Sequence, residues 1–236
     1  MIELSQEQNE FCDNFFKFLL KDNVKYMTLS GPAGVGKSTV ISHIKNEVIP
    51  RYIDMSKLIN VTPKYRYIYL TATTNKAAAV LSESTNEVTS TIHNLLGLAL
   101  IRDFDNGSEY LRKVKKQGPV MDSVIFIDEC SMIDRELMKW IEKETYNSKV
   151  VFIGDHCQLP PVKEKVMPAF NNLNNDKAEL NSVIRNKDEP ALQALCNQLR
   201  NTVLTGSFDP IKIVPGVVDL FDDETLQEFI KTEFED

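Results

Sequence analysis

The sequence has no Cys-x-x-Cys pair. Its four cysteines, Cys12, Cys130, Cys157 and Cys196, are scattered over 236 residues. A zinc site or disulfide framework is therefore not expected, and all four read as thiols in a reducing compartment. Histidine is equally scarce, and His93 and His156 stand far from any cysteine pair that would recruit zinc. No apolar run approaches the ~18 residues a membrane span needs. The first twenty residues carry Glu3, Glu7, Glu10, Asp13 and Lys17 and do not resemble a signal peptide. A soluble, intracellular setting with no membrane partner is expected. Basic residues are outnumbered 27 to 34, for a net charge of −7. That argues against a protein held to nucleic acid by bulk charge alone, so such contact would need a local basic surface, backbone N–H groups or hydroxyls.

What is present is a full core: 42% of the residues are hydrophobic. Residues 6–20 have helical spacing, with Phe11, Phe15, Phe18 and Leu19 on one face. Residues 26–29, 65–70, 124–127 and 150–153 read as strands, the last two as continuous apolar runs that suit parallel strands covered on both faces. Helices are expected over 37–48, 75–83, 134–144 and 187–201. Pro50 and Pro63 bracket a connection, and 163–179 reads as an irregular surface loop. Asn106-Gly107 between two mixed segments is a hairpin signal, since both residues tolerate positive φ. Strands alternating with helices imply an α/β fold whose ligand sits beyond the carboxyl ends of the strands.

The motifs fall at those ends. Gly31, Pro32, Ala33, Gly34, Val35, Gly36, Lys37, Ser38 and Thr39 follow a strand and open a helix in the P-loop pattern. The glycines let backbone N–H groups converge on phosphates at a helix N-terminus, Lys37 reaches the β and γ phosphates, and the Ser38 hydroxyl is a Mg²⁺ ligand. Asp128-Glu129 ends the next apolar strand, with Asp128 placed for Mg²⁺ and Glu129 for the attacking water. Gln158, in Gly154–Pro161 after the following strand, has both a donor and an acceptor for the γ-phosphate or the water. Read from residues alone, this is a P-loop ATPase using ATP and Mg²⁺.

In order and content these stretches resemble superfamily 1B helicases of the RecD-like and phage Dda-like branch. Leu4–Gln8 is similar to that family's Q motif, in which Gln8 would read adenine. Gly31–Ser38 resembles motif I, Leu70–Ala77 motif Ia, Ser90–His93 motif Ib, Asp128–Met132 motif II and Gly154–Pro161 motif III. Leu180–Arg185 is similar to the segment that brings an arginine to the γ-phosphate. The resemblance implies a RecA-like parallel sheet with helices on both faces, 5′→3′ polarity, and a cytoplasmic role in a bacterial or phage-infected cell. It makes Lys37, Asp128, Glu129, Gln158 and Arg185 the catalytic set. Thr73, Thr74, Asn75, Thr91 and His93 would be contacts to single-stranded DNA, although Thr74 and Ser90 are also natural helix N-caps.

The boundaries expected are a RecA-like domain over 1–201, with a hairpin insertion over about 96–118. Residues 202–236 are a linker or the start of an absent second RecA-like domain, which a second chain or a further C-terminal segment would supply. The hairpin, with Arg102, Arg112, Lys113, Lys115 and Lys116, is a candidate pin at a duplex junction. Two other functions remain open: a P-loop ATPase that does not act on DNA, and a regulatory subunit that binds ATP without turnover.

Overall fold

The computed structural model describes residues 4–103, 109–162, 164–171, 175–183, 190–216, 219 and 225–226. They fall into two compact units, Met1–Val183 and Ile184–Asp236. In the first, Ser5 starts helix α1 (Gln6–Leu20) through a reciprocal cap: its hydroxyl accepts from the Gln8 N–H, and Gln8 Oε1 accepts from the Ser5 N–H at 2.9 Å. Strand β1 (Tyr26–Ser30) is buried throughout. Helix α2 (Lys37–His43) runs through a π turn (Ile44–Val48) directly into α3 (Ile49–Leu58). The connection read at Pro50 is thus a helix. A proline inside a helix lacks its N–H and clashes with the carbonyl four residues back. The widened turn ahead of it, in which Ile49 N–H bonds to Ile44 O, is the kind of bulge that relieves this clash.

The remaining elements are β2 (Tyr67–Ala72), α4 (Asn75–Thr85), β3 (Ser90–Thr91), α5 (Ile92–Leu96), β4 (Leu98–Arg102), β5 (Glu109–Lys113), β6 (Val120–Met121) and β7 (Ser123–Asp128). A single 3-10 turn (Cys130–Met132) leads to α6 (Arg135–Glu144), β8 (Thr145–Tyr146), β9 (Lys149–Gly154) and β10 (Asp176–Glu179). Among the described residues one six-stranded sheet has the order β10-β1-β9-β7-β2-β3, every pairing parallel. Alternation along each strand divides the core in two. Met27, Leu29, Phe126, Val151 and Ile153 pack with α1 to α4, and Phe15 stacks on Phe126 at 5.8 Å. Tyr26, Ile125, Ile127, Val150 and Phe152 pack with α5, α6 and the hairpin. Helices on both faces are why these strands read as unbroken apolar runs.

Strand β10 lies inside the stretch read as loop. Its residues, Asp-Lys-Ala-Glu, show no strand pattern of their own; pairing with β1 at the sheet edge makes them a strand. The hairpin β4–β5 is present and antiparallel, Leu98 opposite Lys113 and Arg102 opposite Glu109. Its tip, including Asn106-Gly107, lies outside the described residues. Leu111 buries against α6, its N–H donates to Glu136 Oε1 at 2.8 Å, and Lys113 pairs with the buried Glu144. Lys115 Nζ donates to Asn94 Oδ1 at 2.6 Å and Gln117 Nε2 to Leu95 O at 2.7 Å. The insertion is therefore fastened to α5 and α6. Of its basic cluster, Lys113 and Lys115 are engaged in these contacts, whereas Arg102, Arg112 and Lys116 are exposed.

The second unit holds α7 (Pro190–Thr205), which stops at Gly206 in the left-handed region. Gln198 Nε2 donates to Asp209 O and Pro210 O, folding the following segment back along the helix. Of the stretch read as a linker or the start of a second domain, 217–218, 220–224 and 227–236 lie outside the described residues. Among the described residues no helix is long and apolar enough to cross a membrane.

Lys149, at the start of β9, is fully buried. Its ammonium donates to Lys21 O and Val24 O and lies 4.4 Å from the Phe18 ring centroid. Burial, with the like charge of Lys64, pushes its pKa down from 10.5 to about 8. Between those two values the unfolded chain binds the more protons, so this group makes stability rise with pH across that window. Lys149→Met should abolish that rise. In urea unfolding, the stability difference between the parent and Lys149→Met should move in the parent's favour from about pH 8 to about pH 10. A difference that stays constant with pH refutes the assignment.

Candidate functional site

The carboxyl ends of β1, β7 and β9 adjoin in the sheet, and the three acidic or glycine-rich motifs follow them. After β1, Gly34 and Gly36 both have φ of 83°, a left-handed geometry that turns the loop back on itself and opens α2. Lys37 Nζ donates to Gly31 O at 2.8 Å and to Pro32 O at 2.9 Å, so the ammonium rests on the loop's own carbonyls. Ser38 and Thr39 stand half-buried in the first turn of α2.

Asp128 ends β7. Burial raises its pKa, against the opposing pull of the Glu129 N–H, which donates to Asp128 Oδ1 at 2.9 Å, and of the Lys37 charge. Glu129 takes φ of 54°, a backbone conformation sparsely populated by residues with a Cβ and common at functional sites. The turn that follows buries Ser131, whose hydroxyl donates to Gln158 Oε1 at 2.6 Å. Gln158 itself is exposed. This bond leaves the Gln158 amide nitrogen as its outward group. Gly154 makes the approach possible: a Cβ there would lie 2.9 Å from Cys130 Sγ and 3.3 Å from Cys130 N. Ser131 lies within the segment that resembles motif II, and its local sequence points to no partner. That partner lies 27 residues away.

Gln8 is 2% exposed, and both ends of its amide are engaged. Oε1 accepts from Ser5 N–H, and Nε2 donates to Val35 O in the phosphate loop at 3.0 Å. In this conformation Gln8 braces the loop. Glu7 accepts from the Asn181 and Ser182 N–H groups, which hold its carboxyl below the usual range and fix the chain leading toward 183. Arg185 lies outside the described residues.

The candidate DNA contacts divide. Thr73 is buried, and its hydroxyl donates to Glu129 O at 3.1 Å, so it ties β2 to the carboxylate turn. Thr74 caps α4 by accepting from Ala77 N–H, and Thr91 caps α5 by accepting from Asn94 N–H. Asn75 is exposed beside them. Asn75, Ala79, Ser82, Ser90 and Thr91 line a cavity of about 410 Å³ between α4 and α5. His93 is half-buried, which lowers its pKa, and it lines a larger cavity of about 580 Å³ with Thr73, Leu111, Met132 and Glu136, under the hairpin.

A family model described as an AAA domain matches residues 3–208. The chain belongs to that family. Among its relatives are the ATP-dependent DNA helicase dda of Enterobacteria phage T4, 26% identical over 97% of this chain and 49% of that one, and a protein of Acanthamoeba polyphaga mimivirus, 27% identical over 94% of this chain and 46% of that one. In structure it resembles the Pif1 of Bacteroides sp. solved with ADP-AlF4, at a TM-score of 0.54 and 21% identity, covering 87% of this chain and 48% of that one. This AAA domain has the RecA-like fold of superfamily 1B motor domains. It spans about half the length of these relatives.

Proposed function

We propose that the chain is the ATP-hydrolysing half of a 5′→3′ DNA translocase or helicase. The observation that carries this is the meeting, at the carboxyl ends of β1, β7 and β9, of a P-loop with its lysine, a half-buried aspartate followed by a glutamate in a constrained turn, and a glutamine locked to that turn by Ser131. The half-buried Asp128 carboxylate fits a cation, because desolvation and the neighbouring Glu129 charge disfavour its ionised form. Ser38 and Asp128 would hold Mg²⁺, which when bound neutralises charge on the phosphates. Backbone N–H groups of Gly34 to Ser38 and the Lys37 ammonium bind the β and γ phosphates once Lys37 leaves the loop carbonyls. Glu129 orients and deprotonates the attacking water, Gln158 offers its amide N–H groups to the γ-phosphate, and Arg185 stabilises charge there. Gln8 reaches adenine only by exchanging one of its present partners, so its role as a loop brace is the one its contacts support.

The track for single-stranded DNA runs over the α4 and α5 N-termini. There Asn75 and backbone N–H groups make the phosphate contacts, and Thr74 and Thr91 act chiefly as caps. A second RecA-like surface closes the nucleotide and supplies further charge. The test is ATP hydrolysis by the chain with and without single-stranded DNA, repeated after adding a second RecA-like domain. Stimulation by DNA supports the motor. Turnover indifferent to DNA in both settings points to an ATPase acting elsewhere, and nucleotide binding without turnover to a regulatory subunit.

The hairpin, mounted rigidly on α5 and α6, is proposed as the pin that splits the duplex. Shortening it to a turn between Leu98 and Lys113 should spare DNA-stimulated ATPase and impair strand separation in the complete motor. Normal unwinding after the deletion would remove the pin role.

A further inference from the structure

We propose that His156 is a positioning residue that ties the loop bearing Gln158 to the base of the phosphate loop through Ser30. The proposal rests on the ATPase reading above. Ser30 ends β1, immediately before the phosphate loop begins at Gly31. His156 Nδ1 lies 2.6 Å from Ser30 Oγ, and the His156 backbone N–H donates to the same oxygen at 3.3 Å. The hydroxyl accepts the backbone bond, which leaves its own hydrogen for the ring nitrogen. Phe170 meets the imidazole edge-on at 6.3 Å and limits its rotation. The junction between β1 and the phosphate loop is gripped again by its neighbours: Gly31 N–H donates to Gly154 O at 3.1 Å, and Leu180 N–H to Ser30 O at 2.8 Å.

Two residues beyond His156, Gln158 is held from the opposite side by Ser131. The loop 155–158 is thus fastened at two points, to the phosphate loop through Ser30 and to the carboxylate turn through Ser131. Gln158 is exposed, so packing does little to place it and these bonds do most. A γ-phosphate contacts both Lys37 and Gln158 in the proposed arrangement, whereas ADP contacts only the phosphate loop. Slackening the His156–Ser30 link should therefore weaken binding of an ATP analogue and spare ADP.

The experiment titrates the 236-residue chain with Mg·ATPγS and with Mg·ADP. His156→Leu and Ser30→Ala should each lower the preference for ATPγS over ADP by about three- to tenfold, the effect of one lost hydrogen bond, with ADP affinity held within about twofold. His156→Asn, whose amide oxygen falls near the position of Nδ1, should restore most of the preference, and the double variant should be no worse than either single one. Equal preference in the parent and both variants overturns the proposal. So does a parallel loss of ADP affinity, which would mark a general structural role. A parent chain that binds neither nucleotide overturns the ATPase reading and this inference with it.

Discussion

Glu129→Gln in the complete motor should slow ATP hydrolysis by about 10²–10⁴-fold, the usual contribution of a positioned general base, while Mg·ATP still binds. Glutamine keeps the length and shape of the side chain and loses only its capacity to take a proton. The structure gives a further reason to expect an intact site. The contacts that build this turn come from backbone: Glu129 N–H to Asp128 Oδ1, and Glu129 O receiving Thr73 Oγ1 and Met132 N–H. The left-handed conformation at 129 is no harder for glutamine than for glutamate. Single-turnover hydrolysis with a parallel nucleotide titration separates the two quantities. Turnover within a few-fold of the parent would take Glu129 out of the catalytic role.

Lys37→Ala should abolish productive nucleotide binding, since the phosphate loop then presents no cation where the β and γ phosphates lie. Lys37 also bridges the carbonyls of Gly31 and Pro32. Alanine leaves both without that partner, so a modest loss of thermal stability should accompany the loss of binding. Titration with a fluorescent ATP analogue measures the first effect and thermal unfolding the second. A folded Lys37→Ala chain with the parent's nucleotide affinity would refute the P-loop reading.

The α/β class, the buried strands and the position of each motif were legible in the sequence because each rests on a local signal. Continuous apolar runs at 124–127 and 150–153, each ending in a polar motif, suit strands covered on both faces. Glycines at 31, 34 and 36 ahead of Lys37 and Ser38 set a turn that opens a helix. Asp128-Glu129 stands where an apolar run stops, hence at a strand tip. Helical spacing of Phe11, Phe15, Phe18 and Leu19 placed α1, and Asn106-Gly107 marked the hairpin whose two strands pair as expected. Local readings failed where the deciding partner was remote or where a defect was compensated. Pro50 reads locally as the start of a connection, and the π turn ahead of it carries the chain through as helix.

What only the tertiary structure decided is which of these groups touch. Strand β10 exists because β1 offers it an edge, not because Asp-Lys-Ala-Glu favours extension. Gln8 braces Val35 across 27 residues, and Ser131 reaches Gln158 across another 27. His156 meets Ser30 across 126. The hairpin strand β5 is fastened to α6 by Glu136 and Glu144, two charged residues with no local signal for such contacts. A sequence determines by itself the features whose free energy comes from neighbouring residues: periodicity, caps, turns and the glycine-lined phosphate loop. Contacts between polar side chains on different elements depend on where the packed sheet carries those elements. One hydrogen bond of that kind contributes about 1 kcal/mol, too little to impose a pattern on the residues around it.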